Sequence, residues 1–277
     1  MSKIRALIKH FIIIVFGLFL LYPLLWMISA SFKPEAEIFV GVSFLPTRVT
    51  FENYIIGWRG IGGFTFGHFF LNSLIISIAN VIGHVLTCSM AAYAFAKLKF
   101  KLNRPLFIIM LLTLMLPFHV RLIPQYIIFH NIGWVNTFLP LIVPSFFATG
   151  GFFIFLLVQF MRNISDELLE APRIDGCGSF RLYVYIVMPL SVPALVTVAI
   201  FGFIWSWNDF FAQMIYLMNP ARFTVTLALR NFVDPTGQSL FGSLFAMSIL
   251  SLVPLFTLFI IFQKYLIEGI AAGAVKG

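Results

Sequence analysis

The chain has 277 residues, 61% hydrophobic and only 10% charged, far below the roughly 25% charged residues of soluble domains. That balance is not that of a soluble domain and indicates an integral membrane protein. The net charge of +8 does not indicate nucleic acid, because the basic residues sit beside apolar runs and not on one face interleaved with aromatics.

Apolar runs of about 20 residues leave room for about six spans with short connections in a single membrane domain over residues 1–277. Lys3, Arg5 and Lys9 precede the first run, residues 11–30. That run exceeds the roughly 7–15 residues of a signal-peptide core, and Ser29-Ala30-Ser31 is a poor cleavage site, so an uncleaved span is predicted. Residues 33–67, with Glu35, Glu37, Pro46 and Glu52, read as an ordered outer loop. Span two is predicted over about 68–95, followed by Lys97, Lys99, Lys101 and Arg104, a strong inner-side signature.

Span three is predicted over about 105–129, interrupted by Pro117 and Pro124 with His119 and Arg121 between them. Spans four, five and six fall near 138–160, 182–211 and 240–262, with a second outer loop over about 212–239. Both termini are then inside. Lys3, Arg5, Lys9, Lys97, Lys99, Lys101, Arg104, Arg162, Arg173, Arg181, Lys264 and Lys276 lie on that side, twelve of the 18 basic residues. Pro189 and Pro193 inside span five free backbone carbonyls, which a membrane tolerates beside neighbouring helices or a water-filled cavity, so a kinked span is predicted.

Between spans four and five, over about 162–181, runs the one charged segment of the second half, with Glu170-Ala171-Pro172-Arg173-Ile174-Asp175-Gly176 at its centre. Ser165, Asp166 and Glu167 supply a hydroxyl cap and first-turn acids for a short helix. Pro172 removes a backbone donor and biases Ala171 away from helical angles, and Gly176 and Gly178 permit a sharp turn. Leu168 and Leu169 offer an apolar contact, and Glu170, Arg173 and Asp175 a polar rim.

Glu170, Ala171, Asp175 and Gly176, with Pro189 and Pro193 after a spacer, resemble the EAA loop of importer permeases of the ATP-binding cassette class. Trp207-Asn208-Asp209 and the carboxyl end from Phe262 to Gly277 narrow the likeness to the maltose-type carbohydrate uptake family. Pro172 and Cys177 stand where that family usually has alanine. The resemblance implies an all-α membrane protein of the type I ABC importer permease fold in a bacterial or archaeal cytoplasmic membrane. It implies a transport subunit with no cofactor of its own, working with a second permease subunit as a heterodimer. It also implies two copies of an ATP-binding subunit that bind ATP and magnesium, and an extracytoplasmic sugar-binding protein. The coupling contact with the ATPase falls to Leu168, Leu169, Glu170, Ala171, Arg173, Asp175 and Gly176. The outer loop from Asn219 to Gln238 is expected to face the sugar-binding protein, and the tail from Lys264 to Gly277 to meet the ATPase pair.

Trp205, Trp207, Asn208 and Asp209 near the outer end of span five are candidates for a sugar path, since aromatic faces stack on sugar rings while an amide and an acid take hydroxyls. Against this stands an interfacial aromatic belt with a solvated acid. Asn72 and Ser73 are candidates for the same path, against a role in helix packing. Arg121 and His119 are read as structural residues at the outer mouth, and His84 as a packed histidine. The chain carries no G-x-x-x-x-G-K-[ST] loop, so ATP hydrolysis is assigned elsewhere. Nor does it carry H-E-x-x-H, G-x-S-x-G or paired carboxylates within a span. The two cysteines, Cys88 and Cys177, form neither a disulfide framework nor a metal-ligand spacing. Two alternatives remain: the same architecture carrying a non-sugar solute, and a secondary carrier, which would need mid-span acids.

Overall fold

The computed structural model describes residues 2–40, 43–233 and 240–274. Asp234, Pro235, Gly237 and Gln238 of the second outer loop, and the last three residues of the tail, lie outside them. The described residues are helical apart from connections and one isolated bridge between Ile61 and Phe64. Helicity follows from composition, because in lipid a span must satisfy every backbone group within itself.

The chain divides into two compact units, Met1–His68 with Ala228–Val253, and Phe69–Leu227 with Pro254–Gly277. The first opens with α1, Ser2–Ser31, which leaves its apolar side chains exposed between Leu7 and Leu21. The outer loop that follows is ordered, as expected, and contains a helix that its sparse apolar pattern did not announce, α2, Glu52–Arg59. Buried Asn53 of α2 donates to Ser31 O at 2.8 Å and Lys33 O at 2.7 Å, satisfying carbonyls freed at the end of α1. The Glu35 carboxylate accepts from the backbone amides of Phe241 and Gly242 at 2.6 and 2.9 Å. It thereby caps the last helix from a distant segment.

The second unit is built on α3, Phe66–Lys97, whose residues from Phe69 onward belong to it. At 32 residues, α3 outruns the ~30 Å hydrocarbon layer. After it come α4, Asn103–Leu114, and α5, Phe118–Asn131, which meet at 100°. Span three is therefore broken, and sharply. The break falls at Pro117, which precedes the first turn of α5, while Pro124 is accommodated inside that helix. Span four, Leu139–Arg162, is assembled from α6, Leu139–Ile142, a tighter turn, and α7, Gly151–Arg162, joined through Ala148 in the left-handed region.

A short helix α8, Glu167–Ile174, leads to α9, Ser179–Leu182, a π turn over Tyr183–Val187 and α10, Met188–Leu190. The chain then bends by 79° into α11, Val192–Asn208. This bend lies between Pro189 and Pro193, where two consecutive turns lack a donor. The remaining helices are α12, Phe211–Tyr216, α13, Val225–Arg230, and α14, Phe241–Ala274. Among the described residues, four helical segments are long and apolar enough to cross a membrane, and up to six spans result when each bent pair counts as one. The core of the second unit gathers Ala92 and Tyr93 of α3, Phe153, Leu157 and Met161 of α7, and Val198 of α11.

Candidate functional site

Two surfaces of the second unit carry the chemistry, the segment around α8 and a cavity at the far end of α11. Helix α8 starts as its residues dictate. The Ser165 hydroxyl accepts from the Glu167 amide at 3.3 Å, and Glu167 and Glu170 occupy the positive end of the helix dipole. The helix runs through Ala171 and Pro172, against the angular bias expected there. Its register is closed beyond the proline by Asp175 N–H to Ala171 O at 3.3 Å. It ends on a Schellman motif: Cys177 N–H donates to Pro172 O at 2.9 Å and Gly176 N–H to Arg173 O at 3.1 Å. Gly176 sits at φ +82°, the left-handed conformation this motif requires.

The apolar contact expected of Leu168 and Leu169 divides. Leu168 is 53% exposed, but Leu169 is fully buried in this chain's own core with Ala92 and Tyr93 and is not free to meet a partner. An amphipathic helix lying on the protein must turn one face inward, and Leu169 is that face. Ile174, 86% exposed, supplies the second outward apolar side chain. Glu170, Ala171, Arg173, Asp175 and Gly176 are exposed around it.

The segment is tied to α3 at its leading edge. Lys97 Nζ donates to Ile164 O at 2.6 Å and to Asp166 Oδ1 at 2.7 Å. This hydrogen bond, together with the ammonium charge, holds the Asp166 carboxyl below the usual carboxylate range.

The cavity has a volume of about 720 Å³. Asn80 and His84 reach it from α3, Arg121 from α5, Trp205, Ser206 and Asn208 from α11, Asp209 from the turn into α12 and Gln213 from α12 itself. Trp205, half exposed, stacks on Phe153 with ring centres 5.0 Å apart. Gln213 is buried, donates to Ser206 O at 3.0 Å and accepts from Thr226 at 2.6 Å and from Thr224. Asn80 donates to Ser206 Oγ at 3.1 Å. Asp209 accepts from the Ala212 amide at 3.1 Å, starting α12. Arg121 has no hydrogen-bond or ion-pair partner among the described residues. A guanidinium and a carboxylate thus line one cavity without pairing, an arrangement that leaves both available to a polar solute.

The sequence candidates separate here. Trp205, Asn208 and Asp209 line the cavity, whereas Trp207 is buried between Phe203 and Phe70 with ring centres 5.5 and 5.7 Å away. Asn72 and Ser73 are buried and do not line it. Asn72 donates to Ala221 O and Phe223 O, and Ser73 accepts from the Val225 amide. Their work is to hold the 221–225 segment. Arg121 and His84, read as structural from sequence, both line the cavity, and His84 also packs edge-on against Phe153 at 4.9 Å. Sequence reasoning missed Asn80, Ser206 and Gln213, although Asn80 and His84 stand four residues apart, the spacing of one helix face.

Residues 83–271 match the family model described as "Binding-protein-dependent transport system inner membrane component". The chain is 34% identical to the arabinooligosaccharides transport system permease protein AraQ of Halalkalibacterium halodurans, over 92% of this chain and 91% of that one. It is 35% identical to the trehalose transport system permease protein SugB of Mycobacterium tuberculosis, over 93% of each. Among solved structures, a chain of a bacterial ABC transporter involved in the import of the acidic polysaccharide alginate has the same fold. The TM-score is 0.82 at 22% identity, covering 95% of this chain and 97% of that chain.

Proposed function

Since the chain belongs to the binding-protein-dependent transport system inner membrane component family, we propose that it carries a sugar, in the oligosaccharide range, across the cytoplasmic membrane of a bacterium or archaeon. It is a permease subunit of an ABC importer and not the ATPase. The observation that carries the sugar reading is that relatives aligned over more than nine-tenths of the chain are named for trehalose and arabinooligosaccharides. The cavity suits that cargo. Trp205 offers a ring face, and Asn208, Asp209 and Arg121 offer acceptors and donors for hydroxyls.

In this reading the chain pairs with a second permease, two ATP-binding subunits holding ATP and magnesium dock on the pair, and a binding protein delivers the sugar from outside. The termini and α8 face the cytoplasm, an orientation supported by the basic residues gathered on that side. Leu168, Glu170, Ala171, Arg173, Asp175 and Gly176 form the contact with the ATP-binding subunit, joined by Ile174. ATP binding closes the subunit pair, displaces α8 and tilts the spans from inward-open to outward-open. Hydrolysis resets them. The bend between Pro189 and Pro193 lets α11 reorient without breaking a full ladder of hydrogen bonds.

The test is uptake of labelled trehalose, arabinooligosaccharides and other short sugars by cells with and without this chain. Loss of uptake of one sugar on deletion supports the reading. Unchanged sugar uptake with loss of amino acid or polyamine uptake would replace sugar with a different solute. Uptake that persists in ATP-depleted cells would replace the importer with a secondary carrier.

A further inference from the structure

A lysine in the last turn of a helix can hydrogen-bond that helix's own last carbonyls. On α3 that task falls to Asn103, whose side-chain amide donates to Leu98 O at 3.0 Å and reaches Phe95 O and Ala94 O at 3.3 and 3.4 Å. Lys97 is thereby released to cross to the segment preceding α8, where it binds Ile164 O and Asp166. Its side chain is only 4% exposed, while that of Asp166 is 74% exposed.

Two further α3 residues, each four positions earlier, meet the same segment. Tyr93 packs against Tyr183 with ring centres 5.4 Å apart. Ser89 Oγ and the Tyr183 hydroxyl share a hydrogen bond at 2.7 Å. Tyr183 lies just beyond α9. One face of α3 therefore grips the coupling segment before α8, through Lys97, and after it, through Tyr183, while Leu169 of α8 is buried between the two grips.

We propose that Lys97 is a positioning residue that makes α8 and α3 move as one body, so that displacement of α8 by the ATP-binding subunit is delivered along α3 to the cavity. This rests on the reading of α8 as the coupling helix. The physical reason is the burial of the ammonium. Any motion of α8 that left α3 behind would strand a desolvated cation without partners, which is costly, whereas a joint motion breaks nothing. Helix α3 is also the element that carries Asn80 and His84 into the cavity wall, with His84 about 20 Å from Lys97 at ~1.5 Å per residue. A rigid helix joins the two sites.

The experiment uses the whole transporter, purified with its partner permease and ATP-binding subunits, reconstituted in liposomes and supplied with binding protein. Solute transported per ATP hydrolysed is measured for the wild type, Lys97→Met, Lys97→Arg and Asp166→Asn. In parallel, a photo-crosslinking residue, Ile174→benzoylphenylalanine, reports whether α8 touches the ATP-binding subunit. The crosslink is expected in the wild-type background. The transport-to-ATP ratio is expected to fall about tenfold in Lys97→Met, the scale set by losing one charge-assisted hydrogen bond, and to recover in Lys97→Arg.

A purely structural role for Lys97 would lower transport and ATP hydrolysis together and leave their ratio unchanged, which would overturn the proposal while the coupling reading stands. Absence of the crosslink in the wild-type background would overturn the coupling reading itself, and the proposal with it. Should Lys97→Met fail to accumulate, Asp166→Asn carries the test, because it changes only an exposed carboxylate. Its ratio is expected to drop about threefold, and an unchanged ratio there sinks the proposal.

Discussion

The side-chain amide of Asn72 donates to the carbonyl of Phe223 at 2.9 Å, and to that of Ala221 at 3.2 Å, from near the start of α3. With Ser73 accepting from the Val225 amide at 2.9 Å, two adjacent α3 residues hold a segment that no regular ladder satisfies. Interhelical hydrogen bonds in membrane proteins average about 0.6 kcal/mol each, so Asn72→Leu is expected to cost about 1 kcal/mol. It is also expected to increase amide hydrogen exchange in residues 221–225. Transport should fall only in proportion to the folded fraction, because Asn72 does not line the cavity. A strong loss of sugar affinity at full stability would return Asn72 to the solute path.

Trp205 and Trp207 provide a matched pair, one in the cavity wall and half exposed, the other buried. Trp207→Ala opens a cavity in the packing between Phe203 and Phe70 and is expected to destabilise the protein by about 3 kcal/mol. Trp205→Ala is expected to leave the melting temperature of the purified complex within a few degrees and to lower transport about tenfold through loss of the stacking face. Thermal unfolding followed alongside uptake separates the two outcomes.

Gly176 makes a backbone prediction that packing does not complicate. At φ +82° with no atom within 4 Å of a would-be Cβ, a substitution there pays for conformation alone. Gly176→Asn, which tolerates the left-handed region, should couple better than Gly176→Val, for which the local strain is about 1–2 kcal/mol. Gly176→Asp is expected to abolish transport while the protein stays in the membrane, since it adds a charge to the proposed docking surface. Wild-type transport by Gly176→Asp would remove this turn from the proposed coupling contact.

The Lys97 and Asp166 pair gives a pH dependence of known sign. Lys97 donates to Asp166 and lowers its folded-state pKa. The contribution of the pair is therefore fully present above the ordinary carboxylate value of about 4 and is lost as pH falls through the lower folded value. Protection of residues 164–170 against proteolysis should be flat from pH 8 to about pH 4 and decline below it. In Asp166→Asn that acid step should disappear. A decline near pH 6 in the wild type would show that some other group controls the segment.

Much of this was legible in the sequence because it depends on local chemistry. The apolar runs fix a membrane protein, since a chain with so few charges cannot solvate a soluble surface. Ser165, Asp166 and Glu167 start α8, and Gly176 ends it, because caps and left-handed turns are decided within a few residues. Pro189 and Pro193 bracket the bend into α11 for the same reason.

The faces of the helices were not legible. A span that is apolar all round carries no contrast between the side that meets lipid and the side that meets protein, so periodicity cannot assign Asn72 or Trp207 to the interior. The 100° break between α4 and α5 was equally hidden, because a proline permits a bend and only the packing around it sets the angle. The sequence by itself determined the all-helical membrane class and the position of the short helix α8. Tertiary packing alone decided that Arg121 and His84 join Asp209 and Trp205 around one cavity, and that Lys97 leaves its own helix to hold α8, because both depend on residues distant in sequence meeting in space.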